Sequence, residues 1–172
     1  MGMIISGACR AHAGETEFGL KLVEEGLGKQ RQFGQVSQQC YLETIAAIVH
    51  SQVGNSARAL ELLAQALAVH VKTGAGFMHP ETLRLHAETL FAAGQIDVQQ
   101  AIARIEVAVG LARQQGALAL EWRATSSLAR LHASAGRHDE ARELLRSHFS
   151  VPAEGFESLD LMEGRQLLDA MG

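Results

Sequence analysis

The sequence predicts an all-α chain, a right-handed α-α superhelix of about four helix hairpins closed by a C-terminal capping helix. Three observations predict it. The 172 residues are 47% hydrophobic with only two prolines, and this Ala-, Leu- and Gln-rich composition favours helix almost throughout. Two glycine series punctuate the chain in step: Gly14, Gly54, Gly94 and Gly136 at spacings of 40, 40 and 42, and Gly34, Gly74 and Gly116 at spacings of 40 and 42. Small residues also keep fixed offsets from the first series. A period near 40 points to a helical repeat array, and glycine suits turns and helix ends that need positive φ.

The chain reads as one domain, 1–172, with hairpins at about 2–33, 35–74, 79–116 and 117–149. The first pairs Gly2–Ala13 with Glu15–Gln32, and the second pairs Gln35–Val53 with Ser56–Thr73. The third pairs Pro80–Ala93 with Val98–Gln115, where Pro80 suits the first helical position. The fourth pairs Leu118–Ala135 with Asp139–Phe149. Ser150–Gly155 is a turn-rich break, and a capping helix spans 157–171.

Seven residues before each glycine of the first series stand Gly7, Ala47, Ala87 and Ala129. Their size permits a close crossing of two helices. Five after it come Gly19, Ala59 and Ala141, and twelve after it Gly26 and Ala66. In the third repeat these positions slip by two, to Ala101 and Ala108, which implies a two-residue insertion. His148 takes the twelfth position in the fourth repeat and marks the end of regular stacking. Large residues fill the ninth position: Val23, Leu63, Leu145 and, shifted, Ile105.

Small residues at fixed crossings, large ones between them and a glycine at the inter-helix turn resemble the tetratricopeptide repeat (TPR) pattern, with a period longer than that family's usual one. The last third resembles a narrower group. Leu111–Leu145 followed by Ala153–Met171 looks like the C-terminal TPR region of bacterial multidomain regulators, which carry a class III adenylate/guanylate cyclase or winged-helix domain and an AAA/NB-ARC-like ATPase. Glu154, Gly155, Phe156, Asp160, Leu161, Leu167 and Leu168 match the family's terminal segment. Glu81, Arg84, Leu85, Glu88 and Leu90 match its Glu-x-x-Arg-Leu helix. Ser150–Pro152 replaces the family's aromatic turn, and Ala87 stands where glycine is frequent. The upstream modules are absent from this sequence, so Met1 is expected to begin a fragment or a truncated reading frame, and no cyclase or ATPase activity carries over.

Composition and motifs argue against several functions. The net charge is −4 and the pI about 6.0, shared evenly between the halves, which gives no basic stripe for nucleic acid. No apolar run approaches a membrane span, and no signal peptide is recognisable, so a cytoplasmic location is expected. Phosphate-loop, GxSxG, HExxH and CxxC patterns do not occur. The eight histidines include no pair at helix spacing three or four, so no metal or other cofactor is expected. His50 and His132, each four residues before a turn glycine, read as hydrogen-bonded structural histidines. Cys9 and Cys40 read as reduced core thiols, and Trp122 as core. The adjacent carboxylates Glu24-Glu25 and Asp139-Glu140 point about 100° apart on a helix and form no acid/base pair.

The function expected is therefore non-enzymatic: a scaffold, part of a larger signalling or transcriptional regulator, that binds a peptide, a protein partner or another domain of its parent. The TPR resemblance places the concave groove on the first helix of each hairpin. It implies contacts from Tyr41, Thr44, Ile48, Ser51 and Gln52, from Glu81, Arg84, Glu88, Phe91 and Ala92, and from Arg123, Ser126, Arg130, Ala133 and Ser134. The strip suits a peptide carrying charges of both signs, held by aromatic anchors and arginine forks. Glu81, Arg84 and Glu88 also have the spacing to pair with one another. The alternatives are self-association through the apolar first helix (Met3, Ile4, Ile5, Ala8), giving a homodimer, or sensing of a small effector.

Overall fold

The computed structural model describes residues 1–33, 38–74, 76–149 and 159–170, without the side chains at 31, 33, 149, 159 and 160. Among the described residues there are nine helices and no strand. They are α1 (Gly2–His12), α2 (Thr16–Phe33), α3 (Gln39–Gln52), α4 (Ser56–Thr73), α5 (His79–Ala92), α6 (Val98–Gln114), α7 (Leu118–Ser134), α8 (His138–Phe149) and α9 (Leu159–Ala170). The fold is an all-α, TPR-like solenoid of helix hairpins with a terminal helix. Two compact units share the chain, residues 1–89 and residues from Leu90 onward. Gly34 and the Ser150–Gly155 break lie outside the described residues, as do Glu154, Gly155 and Phe156 of the family-like terminus.

One turn joins the two helices of each hairpin, and it recurs after α6 at Gly116, where the Ala117 N–H donates to Ala112 O at 3.0 Å. The residue after the turn glycine donates its N–H to the carbonyl four residues before that glycine. The bonds are Glu15 to Arg10, Asn55 to His50, Gln95 to Leu90 and Arg137 to His132, each 2.9 Å. The geometry requires a left-handed residue between the helices, and Gly14, Gly54, Gly94 and Gly136 have φ of 95°, 78°, 66° and 77°; a side chain there would be strained. Caps set the next helix going. Asn55 accepts from the Arg58 N–H at 3.3 Å, and Asp97 and Gln100 form a reciprocal capping box. Helix α5 begins at His79, one residue before the proline expected to open it.

In the unit formed by residues 1–89, α1 packs on α2, α3 on α4, and α1 and α2 against α3. The core gathers Ile4, Val23, Leu27, Leu42, Ala46, Val49, Leu62 and Leu63. The crossing positions read from the sequence are all inside: Gly7, Gly19 and Gly26, and Ala47, Ala59, Ala66 and Ala87. Gly7 and Gly19 meet so closely that a Cβ on either would stand 2.6 Å from the other's carbonyl oxygen.

In the second unit α6 packs on α7, α7 on α8, and α9 on both α7 and α8. Ala101, Ile105, Ala108, Ala129, Ala141 and Leu145 are buried at the expected register. The terminal helix covers the end of this core with buried Leu161 and half-buried Leu167 and Leu168, which pack on Ala129, Ala141 and Leu145. Covering an apolar end face is what a terminal helix of a repeat array must do.

Two readings need correction. Cys9 is exposed, whereas Cys40 is buried and burial raises its thiol pKa. Helix α1 buries Ile4 and Gly7, and Cys9, two residues beyond Gly7, is turned about 200° away. Trp122 is half-buried rather than core. His148 packs within the fourth hairpin. Its Nε2 lies 3.1 Å from both Thr125 Oγ1 and Glu121 Oε1, tying α8 to α7.

Candidate functional site

The first helices in the 1–89 unit carry a mixed strip built around Arg84. Its guanidinium forks onto Glu81, Nε to Oε2 at 2.9 Å and Nη2 to Oε1 at 2.8 Å, and reaches Glu88 Oε2 with Nη1 at 2.7 Å. The spacing of three and four on α5 puts all three on one face. Burial would lower the arginine's pKa, but the carboxylates Glu81 and Glu88 outweigh it and raise it. Glu81 is nearly sealed, whereas the Glu88 side chain is one-third exposed. The trio carries one net negative charge, and its accessible part is carboxylate.

Tyr41 on α3 is half-buried and leans against Phe77, their ring centroids 5.9 Å apart and tilted by 34°. Phe77 lies in the connection before α5 and is 69% exposed. Sequence reasoning missed it, because it stands between the repeats' periodic segments. The available signal was an aromatic residue in a connector that begins with the Gly74 turn.

Thr44 is fully buried. Its hydroxyl donates to Cys40 O at 2.7 Å or shares a proton with Thr82 Oγ1 at 2.9 Å. Thr82 in turn meets Met78 O at 2.9 Å and His70 Nε2 at 3.3 Å. The His70 ring stacks on His79 with centroids 4.7 Å apart. Burial, then the neighbouring His70, lowers the pKa of His79. This polar chain fastens α3, α4 and α5 together beneath the surface, so Thr44 supports the strip from below.

Ile48 and Ser51 are half-buried and Gln52 is exposed; Phe91 is half-buried and Ala92 exposed. In the second unit Arg123 and Arg130 are exposed on α7, while Ser126 between them is buried at 7% exposure. Arg130 lies 3.7 Å from Glu163 of α9. Ala133 and Ser134 are half-buried and exposed, respectively. Spacings of three and four place Arg123, Ser126 and Arg130 on one side of α7.

His50 and His132 are buried as structural imidazoles. His50 Nε2 meets Glu24 Oε1 at 2.9 Å. His132 Nδ1 lies 3.2 Å from Glu140 Oε2, within ion-pair distance but without hydrogen-bond alignment, and burial, then Arg137, lowers its pKa. Among the described residues no three His, Cys, Asp or Glu side chains gather as a metal site. No helix of the described residues is long and apolar enough to cross a membrane.

Paired helices, buried small-residue crossings and a repeated glycine turn define the class of fold as TPR-like. Solved structures agree. The nearly identical TPR-like repeats of a Podospora anserina protein described as a kinesin light chain superpose with a TM-score of 0.73 at 19% identity, over 99% of this chain and 83% of that one. The Rap conjugation gene regulator of the plasmid pLS20, solved in complex with the Phr* peptide, gives a TM-score of 0.82 at 12% identity, over 98% of this chain and 46% of the regulator. MamA gives 0.57 at 17% identity, over 96% and 87%. No protein-family model matches the chain, and no curated protein matches it.

Proposed function

We propose that this chain is a non-enzymatic interaction module that holds a peptide, or an extended segment of a partner domain, on its first-helix face. The observation that carries the reading is the Tyr41–Phe77 pair, two aromatic rings in contact with the outer one mostly in solvent. An exposed aromatic costs solvation and packs little, so it is better suited to a partner's surface than to this fold. The Rap regulator, which shares the fold, was solved with a peptide, and that supports the choice of ligand class. Because Glu81 already occupies the Arg84 fork, the charged contact that α5 offers is the Glu88 carboxylate. The ligand chemistry that fits is an aromatic or aliphatic side chain near a lysine or arginine. Arg123 and Arg130 on α7 suit an acidic group.

The likeness of the C-terminal sequence to multidomain regulators supports a setting within, or beside, a signalling or transcriptional regulator. Selecting peptides from a random phage library against the full chain tests the proposal. Selected peptides are expected to carry an apolar residue next to a basic one, and Phe77→Ala or Tyr41→Ala should weaken them about tenfold or more. Binders indifferent to both substitutions would put the site elsewhere.

A further inference from the structure

We propose that the stacked imidazoles of His70 and His79 form a proton-controlled latch on the turn that presents Phe77. The inference rests on the reading of Phe77 as a partner anchor, and adds how that anchor is held and released.

Residues 76–79 close into a four-residue turn. The His79 N–H donates to Gly76 O at 3.0 Å, with Phe77 and Met78 at the two central positions. Met78 is buried, whereas Phe77 is mostly in solvent and meets Tyr41. His70, in the last turn of α4 and 3% exposed, reaches three of the four turn residues. At one end its Nδ1 lies beside Gly76, where a Cβ would stand 3.2 Å from that nitrogen and 3.0 Å from the His79 Cβ. In the middle its Nε2 meets the Thr82 hydroxyl at 3.3 Å, and that hydroxyl donates to Met78 O at 2.9 Å. At the other end its ring stacks on His79, with planes 16° apart. With the Thr82 proton on Met78 O, the Thr82 oxygen accepts from His70 Nε2–H, which leaves Nδ1 as the unprotonated nitrogen. Forty residues earlier the same positions hold Gln30, Gln39 and Leu42, so the repeat does not itself require two imidazoles and a hydroxyl here.

A proton on His79 opposes this arrangement for three reasons. The half-buried ring would carry a charge with little hydration, it would face the second base His70, and it would stand on the first residue of α5, at the positive end of the helix dipole. The other titratable groups that α3 and α5 bury in this unit are Cys40, Glu43 and Glu81. Burial keeps Cys40 a thiol, Glu43 is bonded to Gln39, and Glu81 lies in the Arg84 fork. On α4 Lys72 is exposed, and half-buried His86 stands two turns further along α5. The charge that acts on His79 is that of His70 and, after burial, it lowers the pKa of His79 from the ordinary 6.5. An opened turn, with His79 in water, therefore takes up the proton first. The latch is fully engaged above about pH 6.5 and loosens as pH falls below it.

Tyr41 is the chain's one tyrosine. A full-length sample with carbon-13-labelled tyrosine therefore reports the Tyr41–Phe77 contact in a single set of ring signals by nuclear magnetic resonance. As pH falls from about 7.5 to about 5, those signals should move toward their position in Phe77→Ala. In His79→Phe, which keeps a ring on His70 but takes no proton, they should stay at their neutral-pH position; His79→Gln decides if that variant does not fold. A Tyr41 that holds still while the His79 ring itself titrates overturns the latch. So does a Tyr41 that moves equally in the wild type and the proton-free variant. No peptide enters this measurement, so its result stands apart from whether Phe77 anchors one. Peptides selected through Phe77 should bind about threefold or more weakly at about pH 5.5 than at about pH 7.5, and should lose that dependence in His79→Phe. Equal affinity at both pH values would overturn the control of binding.

Discussion

The first two hairpins follow one register with different residues at the crossings. The first uses Gly7, Gly19 and Gly26, and the second uses Ala47, Ala59 and Ala66. At the glycines there is no room for a methyl group: a Cβ on Gly19 would stand 2.6 Å from Gly7 O and 2.7 Å from Ala11 N, and one on Gly26 2.5 Å from Ile4 Cγ1. At the alanines the methyl is present and fully packed, each position no more than 1% exposed. The same helical grammar therefore sustains two packing distances. The closer one accepts weaker helix formers, at about 1 kcal/mol for each glycine relative to alanine, in exchange for backbone-to-backbone contact.

The largest expected effect tests that contrast directly. Gly19→Ala forces a methyl against backbone atoms of the facing helix, so α1 and α2 must move apart; the cost should be about 3 kcal/mol. Ala59→Gly at the matching place only loses a methyl and some helix propensity, at about 1–2 kcal/mol. Urea denaturation followed by circular dichroism, with hydrogen exchange of α1 and α2 as a local readout, compares them. Equal losses would mean that the two hairpins are packed alike after all.

A smaller effect concerns the seam between these hairpins. Glu24 of the first takes two hydrogen bonds from Arg58 of the second, 2.9 and 3.0 Å long, and also meets His50. Arg58, more than the opposing effect of burial, lowers the pKa of Glu24. Glu24→Ala should cost about 1 kcal/mol, a modest figure because the carboxylate is partly in water. In a double-mutant cycle with Arg58→Ala the two losses should fall short of adding; strict additivity would show that the seam is held by apolar contact alone. The lowered pKa also sets a sign. This contribution is complete above the ordinary carboxylate value of 4.5 and disappears as pH falls through the folded-state value.

The smallest effect is a pH dependence where α4 meets α5. The pKa of His79 is depressed by burial and by its neighbour His70, so the unfolded chain takes up the proton first. Stability contributed here is intact above about pH 6.5 and declines as pH falls below it. His79→Gln should flatten the stability profile between pH 7.5 and 5.5 by removing this group's share, measured by urea midpoints at each pH. An unchanged slope would assign the acid sensitivity elsewhere, with His132, also depressed by burial, the next to substitute.

Much of the architecture was legible because its signals are local. A left-handed turn requires glycine wherever it occurs, and a close crossing requires a small side chain, so both leave a mark in the residue types at fixed spacing. The inserted pair in the third repeat was readable for the same reason, and Ala101, Ile105 and Ala108 are buried where the shifted count places them. The internal pairing of Glu81, Arg84 and Glu88 was equally visible, since spacing on one helix decides it. The face of Cys9 was misread because Ile4, Gly7 and Ala8 imply an apolar stripe that does not extend to it. The position of Thr44 on a first helix says nothing of depth, and its burial follows from the approach of α5.

By itself the sequence determined the helices, their turns and the residues at which they cross, because each depends on the conformational preference or size of residues near one another in the chain. The tertiary structure alone decided which side chains met: Glu24 with Arg58, Thr44 with Thr82, and Tyr41 with Phe77. These partners lie on different helices or the connections between them, and a contact forms only within a narrow range of distance. Spacing along the chain carries no record of that distance.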